Sequence, residues 1–163
     1  MNSIAAALIA ACVQTQAAAY HVPEPIVWTL LKVEGGAVGV VSPNSNGSED
    51  YGPMQVNSTW LTKLSDYYGK PKNELRERLI HDACFNIGVG NWILKTEMVR
   101  AGERNFWDGV GHYHSRTGKH KARYLNRVTN AALDLYGPAI FANGVASPRP
   151  IQLEKIPAIA KAK

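Results

Sequence analysis

Apolar residues recur every three or four positions along most of this chain, and glycine or proline stands at the breaks. This spacing predicts amphipathic helices separated by turns. The predicted helices run from Ile4 to a break at His21, from Ile26 to Glu34, from Asn57 or Ser58 to Gly69, from Asn73 through Ile80, from Phe85 to Val99, from Phe106 to Tyr113, and from about Lys119 to Tyr136. Since no stretch alternates convincingly, we expect an all-α fold, or α+β at most, with a small β excursion near residues 38–57.

The composition changes after Tyr136, which suggests where the folded domain ends. Residues 1–136 hold all the predicted helices and form one domain. Residues 137–163 contain four prolines, no tryptophan and a basic end. We interpret this segment as a mobile tail that is not required for catalysis, because chain termini that no packing or hydrogen bonding holds in place are seldom ordered.

Composition and charge narrow the class of protein without choosing its partner. With 163 residues, 45% of them hydrophobic and 19% charged, the chain is long enough to bury one core. A net charge of +5 suits an anionic partner such as nucleic acid, a membrane surface or the acidic bacterial wall. No apolar run approaches the roughly 20 residues of a membrane-spanning helix, so we expect no integral membrane segment.

The first twenty residues have two interpretations. Residues 1–12 resemble the apolar core of a signal peptide, and residues 17–19 are three alanines that resemble a cleavage site. However, no Lys or Arg precedes the apolar run, and Gln14 and Gln16 lie just before the alanines. These features favour a helix of the folded domain over a signal peptide.

Two cysteines, Cys12 and Cys84, are compatible with one disulfide in an oxidising compartment. They are equally compatible with two buried thiols, and the composition does not choose between them.

Glu34 is the first candidate for chemistry. Ile26, Val27, Leu30 and Leu31 form an apolar stripe on the second helix, and Glu34 falls on the same face. A buried carboxylate without partners costs several kcal/mol or becomes protonated. In the last helical turn the helix dipole also disfavours negative charge. We therefore expect a carboxyl group that stays protonated near neutral pH, as a general acid requires.

The alternative is a glutamate that points to water at a frayed helix end, since Gly35 and Gly36 follow it directly. Three other segments bear on this choice. Residues 50–57 contain a Gly-Pro turn before a capped helix, residues 86–90 place two glycines where helices pack closely, and Tyr113 is either a core tyrosine or a hydroxyl facing the carboxylate.

Taken in order, four motifs resemble the catalytic domain of lytic transglycosylases, lysozyme-like wall enzymes that serve secretion, conjugation and pilus machines. The matching segments are Val33–Gly36, Tyr51–Asn57, Cys84–Leu94 and Tyr113–Ser115. The resemblance covers about residues 12–136. No single motif is decisive, whereas four in the right order and spacing are fairly specific.

The resemblance implies a lysozyme-like helical domain with a cleft and Glu34 as the catalytic residue. It implies that Gln55 and Asn57 line this cleft and that Tyr113 lies close to Glu34. The candidate substrate-binding residues all come from the matching motifs: Tyr51, Met54, Gln55, Asn57, Asn86, Tyr113 and His114. Enzymes of this group also have cysteines at the positions of Cys12 and Cys84, which implies a disulfide and a periplasmic location.

The chain departs from the family pattern in its motifs. Gly35 replaces a frequent Ser, Pro53 a common Leu, and His114 a frequent Asn. An Ala-Gly pair common in the family reads Ser115-Arg116 here. These departures put substrate preference and rate in doubt, and the reaction type less so.

The resemblance implies cleavage of the glycan by one carboxylate, without metal or organic cofactor. The partners would be peptidoglycan strands and a secretion or conjugation apparatus, and we expect a monomer. A hydrolytic lysozyme and a catalytically silent wall-binding protein are the alternatives. The basic run at residues 116–123 suggests a nucleic-acid binder, although solvated charge explains it more economically. His112, His114 and His120 lack a Cys or acidic partner at familiar zinc spacing.

Overall fold

The computed structural model describes residues 3–102 and 106–142. Helices dominate these residues and a small sheet interrupts them. The elements in chain order are α1 (Ser3–Tyr20), α2 (Glu24–Glu34), β1 (Val41–Pro43), β2 (Glu49–Tyr51), β3 (Val56–Asn57), a 3₁₀ turn (Ser58–Trp60), α3 (Leu61–Tyr68), α4 (Lys72–His81), α5 (Ala83–Ala101), α6 (Phe106–His114), α7 (Gly118–Tyr136) and α8 (Ala139–Ala142). The mostly helical, lysozyme-like fold expected from the sequence is confirmed.

Local chemistry explains where the helices start and stop. The helix α2 ends because Gly35 adopts a left-handed conformation, with φ of 65°, and donates its N–H to the carbonyl of Leu31. Asn57 accepts a hydrogen bond from Thr59 N–H and so caps the 3₁₀ turn. Asp82 caps α5 in the same way through Phe85 N–H, which starts this helix two residues before the predicted Phe85.

The helix that was predicted to begin at Asn73 begins one residue earlier, and proline determines its start. The helix α4 begins at Lys72, directly after Pro71, whose carbonyl accepts the N–H of Leu75. The fixed φ of proline suits a helix entrance, so this residue sets the start in place of an amide side chain.

The β excursion near residues 38–57 is a three-stranded antiparallel sheet in the order β1-β2-β3. Val41 pairs with Tyr51, and Tyr51 in turn pairs with Val56. The polar residues between β1 and β2 form the connecting turn, in which Asn44 N–H donates to the carbonyl of Ser48 at 2.8 Å. The sheet and its polar turn form most of the segment between the end of α2 and the start of α3.

The helix α5 is the centre of the fold and packs against α1 on one side and α6 on the other. It is buried along most of its length, including Ile87, Val89 and Leu94. Its glycines allow close packing, as the sequence predicted. A Cβ at Gly90 would lie 2.9 Å from atoms of the Met54 side chain, and one at Gly88 would lie 3.0 Å from the Gln16 side chain.

The disulfide between Cys12 and Cys84 joins α1 to α5, with 5.0 Å between the two Cα atoms. The predicted pairing is therefore confirmed. Beyond Cys12, the side chains of Val13, Ala17 and Tyr20 are buried in the core. Residues 3–20 are thus an integral helix of the described fold.

Two expectations concern the ends of the domain and its environment. The predicted tail at residues 137–163 lies mostly outside the described residues; its first part forms α8, where Ile140 is buried.

No helix in residues 3–102 or 106–142 combines the length and apolar content needed to cross a membrane.

Candidate active site

A cleft of about 820 Å³ opens between the small sheet and the helices α5 to α7. Its walls are mainly polar. They are formed by Glu34 from the end of α2, by residues of the sheet region, by one face of α5, and by the turn that joins α6 to α7. The lining residues include Glu34, Asn44, Asp50, Gln55, Asn57, Trp60, Glu97, Arg100, Tyr113, His114 and Arg116.

Glu34 lies in the cleft wall, partly buried, as the last residue of α2. Burial raises the pKa of its carboxyl group from 4.5 to about 7, and the negative charge of Asp50 acts in the same direction. A hydrogen bond from Tyr124 and the positive charge of Arg127 oppose this shift. The carboxyl group is therefore largely protonated at slightly acid pH and exchanges its proton near neutral pH, as the sequence led us to expect.

Tyr124 is the hydrogen-bond partner of Glu34. Its hydroxyl donates to Oε1 of the carboxyl group at 2.5 Å, from a position buried in α7. The imidazole of His114 stacks on the Tyr124 ring, with 4.6 Å between centroids and 6° between planes. Stacking and burial fix the tyrosine, and the tyrosine in turn fixes one oxygen of the carboxyl group.

Arg127 lies one helical turn beyond Tyr124 on α7 and donates a hydrogen bond to the carbonyl of Val33. This carbonyl belongs to the last turn of α2, where backbone acceptors have no partner within the helix. The contact satisfies an otherwise orphaned acceptor and holds a positive charge beside Glu34. Two residues of α7 thus anchor the end of α2.

Tyr113 lines the cleft, but its hydroxyl does not bond to Glu34. It donates to the carbonyl of Met54 at 2.8 Å. The pKa of this phenol is raised by burial and by the nearby charges of Glu34 and Asp50, so it lies close to both carboxyl groups. Of the two interpretations of Tyr113, the hydroxyl bonded to the carboxylate is not observed, and Tyr124 supplies that hydrogen bond instead.

Gln55 and Asn57 line the cleft, as expected. Gln55 adopts a φ of 47°, which is unusual outside glycine, and its Nε2 donates to the carbonyl of Gly52 at 3.0 Å. Such backbone conformations persist only where the surroundings enforce them, often beside functional sites. Asn57 donates from Nδ2 to Oδ1 of Asp50 at 2.7 Å.

Asp50 also lines the cleft and is held by two amide side chains. Asn44 donates to its Oδ2 at 2.9 Å, while Asn57 donates to its Oδ1. Both oxygens of this carboxylate therefore already accept hydrogen bonds from the protein. Asp50 is the second acidic group near Glu34, and it accepts two amide hydrogen bonds where Glu34 accepts one from Tyr124.

Three of the expected substrate-binding residues lie beneath the cleft and do not form its wall. Tyr51 is 1% exposed, while Met54 and Asn86 are 0% exposed. The Asn86 side chain accepts from Met54 N–H at 2.8 Å and donates to the carbonyls of Tyr51 and Leu79 at 2.7 and 2.8 Å. Asn86 thus supports the floor of the cleft from α5, and substrate does not reach these side chains.

The sequence did not point to several residues of the site. Tyr124 was not singled out, since its spacing from Leu125 and Val128 on the last helix gives no sign of a polar partner. Trp60 lines the cleft and packs edge-on against Trp92, with centroids 5.3 Å apart. Its indole is the large apolar surface of this otherwise polar wall. Trp60 stands only three residues after the Tyr51–Asn57 motif, and this proximity is a signal that could have been recognised in the sequence.

The described residues contain no cluster of three or more histidine, cysteine or acidic side chains that could hold a metal ion. His112, His114 and His120 line the cleft without forming such a group.

The chain is similar to two bacterial proteins. It is 29% identical over 108 residues to Protein IpgF of Shigella flexneri, a stretch that covers 64% of each chain. It is 30% identical over 94 residues to Invasion protein IagB of Salmonella typhimurium, which covers 55% of this chain and 54% of the relative. The chain thus spans less than two thirds of the curated relatives that it matches, and no family model matches it.

Proposed function

We propose that this protein is a peptidoglycan lytic transglycosylase in which Glu34 serves as both acid and base. The observation that carries this proposal is a partly buried carboxyl group in the wall of a polar cleft, with a pKa of about 7. A group with this pKa holds a proton for donation near neutral pH and takes one back readily. The order and spacing of the four family-like motifs give the same assignment.

In the first step, the protonated carboxyl group of Glu34 donates its proton to the oxygen of the β-1,4 bond between N-acetylmuramic acid and N-acetylglucosamine. The bond to the anomeric carbon breaks, and the freed sugar leaves as an alcohol. The substrate's own N-acetyl oxygen stabilises the positive charge at the anomeric carbon, which is a recognised exception to the use of two carboxylates. Tyr124 keeps the carboxyl group oriented through its hydrogen bond at 2.5 Å.

In the second step, the carboxylate of Glu34 removes a proton from the C6 hydroxyl of the muramic acid residue. The C6 oxygen attacks the anomeric carbon and closes a 1,6-anhydro ring, so no water is consumed. Glu34 regains its proton and is ready for another cycle. The polar setting of Asp50 supports the view that one carboxyl group does both proton transfers, because both Asp50 oxygens are engaged by Asn44 and Asn57.

A hydrolytic lysozyme is the second candidate function, and Asp50 is the observation that favours it. This carboxylate lines the same cleft and its charge acts on Glu34. In a two-carboxylate enzyme it would stabilise the cationic sugar or activate water. A wall-binding protein without activity is a third reading, in which the cleft would bind glycan and release no product.

We further propose a periplasmic monomer that opens the wall for a secretion, conjugation or pilus machine. The disulfide between Cys12 and Cys84 supports an oxidising compartment. The Salmonella relative is an invasion protein by name, which favours a role in a process at the cell envelope. No cofactor enters the proposed chemistry.

Digestion of purified sacculi, with the products weighed by mass spectrometry, tests the proposal. The wild-type product should be lighter than a lysozyme product by one water. Glu34→Gln keeps the shape of the side chain and removes the transferable proton, so turnover should fall by ~10²–10⁴. Glu24→Gln is the matched control, because Glu24 lies exposed on the same helix, away from the cleft.

An active Glu34→Gln enzyme would overturn the assignment. A wild-type product that carries the extra water would make the protein a lysozyme, and binding to sacculi without release of fragments would support the non-catalytic reading.

A further inference from the structure

Two arginines converge on one buried glutamate in the cleft wall. Arg116, from the turn between α6 and α7, donates from one terminal nitrogen to both oxygens of Glu97, at 2.8 and 3.0 Å. Arg100, one helical turn after Glu97 on α5, donates to Oε1 of the same carboxylate at 2.8 Å. All three residues line the cleft that contains Glu34.

We call Arg100 and Arg116 the arginine pair and Glu97 its anchor. The three side chains differ in how far they are buried. The Glu97 side chain is 5% exposed, whereas those of Arg100 and Arg116 are 48% and 61% exposed. The carboxylate is therefore hidden behind the two guanidinium groups. Two positive charges against one negative charge leave this part of the wall with a net charge of +1 towards the cleft.

The anchoring of the pair prepares it for an anion. A guanidinium group is a rigid planar set of donors that matches a carboxylate, and the hydrogen bond that each arginine donates to Glu97 fixes its orientation before a ligand arrives. Because the orientation is fixed in advance, less side-chain entropy is lost on binding. The long exposed portions of both arginines lie towards solvent in the cleft.

The arginine pair is held by α5 and by the turn between α6 and α7, whereas the reacting carboxyl group lies at the end of α2 against Tyr124. The charges that shift the pKa of Glu34 are those of Arg127 and Asp50. The pair therefore suits a part of the substrate distant from the bond that is cleaved. The N-acetylated sugar rings of peptidoglycan are neutral, and their muramic acid carboxyl groups are consumed as amides wherever a peptide is attached. The anionic groups of such strands are the carboxylates of the peptide stems.

We propose that Arg116 and Arg100 bind a carboxylate of the peptide stem, so that this protein prefers peptide-bearing glycan strands to bare ones. This inference rests on the proposed wall-cleaving function. It also gives a purpose to Arg116, a residue at which the sequence departs from the family pattern.

Three substrates separate the sources of the carboxylate: uncrosslinked strands that carry peptides, strands stripped of peptides by an amidase, and peptide-bearing strands with carboxylates converted to neutral amides. The wild-type protein should cleave the first most efficiently. Arg116→Gln should raise KM on the first substrate about tenfold, since one hydrogen bond between charged groups is lost. Its KM on the other two should stay unchanged, and kcat should be similar throughout.

Arg123→Gln is the matched control, because it removes the same charge from an exposed position of α7 outside the cleft. Arg116→Lys retains the charge and the pairing with Glu97 and should recover part of the loss. Thermal melting of each variant shows whether it is folded.

Equal KM of the wild-type protein on all three substrates would overturn the inference while leaving the proposed function intact. Preference for stripped strands would overturn it as well, since the bare muramic acid carboxylate would then be the ligand. Failure of the wild-type protein to cleave any strand is a failure of the proposed function itself; direct binding of the three strands, measured by calorimetry, then decides the inference separately.

Discussion

The hydroxyl of Tyr124 donates a 2.5 Å hydrogen bond to Oε1 of Glu34, although the two residues are 90 positions apart in the chain. Tyr124 is 1% exposed and lies on α7, while Glu34 is the last residue of α2. The packing of these two helices therefore sets the geometry of the candidate catalytic group. Burial raises the pKa of Glu34 and the tyrosine moderates this rise, so the two effects together bring the pKa to about 7.

Replacement of Tyr124 by Phe should shift the activity profile to higher pH. The hydrogen bond lowers the pKa of Glu34, so its loss should raise this pKa by about one unit, given the strength of bonds to charged groups. The alkaline limb of kcat against pH should move accordingly, and kcat at the optimum should fall because the carboxyl group is less well oriented. Tyr136→Phe, at an exposed position of the same helix, is the control. An unmoved alkaline limb would show that Tyr124 does not tune Glu34.

The pH dependence of stability should reveal Glu34 directly. Its pKa is about 7 in the folded protein and near 4.5 in the unfolded chain, so the folded state holds an extra proton between these values. The group's contribution to the free energy of unfolding is present below about pH 4.5 and is lost as the pH rises towards 7. Glutamine does not titrate, so the Glu34→Gln protein does not lose this stability as the pH rises.

The free energy of unfolding of Glu34→Gln, relative to wild type, should therefore rise between pH 4.5 and pH 8. Chemical denaturation at a series of pH values measures this difference. A difference that stays constant with pH would mean that the carboxyl group has an ordinary pKa.

The sequence was sufficient to predict features that depend on neighbouring positions. Helical spacing and the capping signals placed α2, its end at Gly35 and the burial of Glu34. The small sheet was expected within the polar stretch before α3. Close packing at Gly88 and Gly90 was predicted because glycine weakens a helix interior. Its presence there indicates that another element packs too closely for a larger side chain.

Features that depend on the packing of distant segments were not predictable in this way. A motif match could not tell a residue of the cleft wall from one directly beneath it, so Met54 and Asn86 were taken for substrate contacts. Tyr124 was not singled out because the partner of its hydroxyl, Glu34, lies on another helix. In both cases the deciding quantity is which atoms meet in three dimensions.

Asn86 should behave as a structural residue. Asn86→Ala leaves the buried N–H of Met54 and the carbonyls of Tyr51 and Leu79 without this partner. Since each unsatisfied buried group costs about 1–3 kcal/mol, the free energy of unfolding should fall by at least about 3 kcal/mol. Denaturant unfolding measures this loss, and Asn126→Ala at an exposed position of α7 is the control. A variant with unchanged stability and weakened glycan binding would restore Asn86 to the substrate-binding residues.

The disulfide should contribute strongly to stability. It links positions 72 residues apart, and the chain-entropy description of such a loop gives roughly 4 kcal/mol. The free energy of unfolding of the double variant Cys12→Ser/Cys84→Ser, measured by denaturant unfolding, should be lower by this amount. Wild-type protein unfolded in a reductant should match it. Unchanged stability of both would show that the bridge does not constrain the unfolded chain.

Asp50→Asn should separate the one-carboxylate reaction from the two-carboxylate one. The substitution keeps the size of the side chain, and its single carbonyl oxygen can still accept from one of the two amide donors, Asn57 or Asn44. If Glu34 performs both proton transfers, kcat should stay within about tenfold of wild type, since no step assigns a proton or a covalent bond to Asp50. The negative charge of Asp50 raises the pKa of Glu34, so its removal should also move the alkaline limb of the activity profile to lower pH. Mass spectrometry should still find the anhydro product. A folded Asp50→Asn protein that has lost activity as completely as Glu34→Gln would instead make Asp50 the second catalytic carboxylate of a lysozyme.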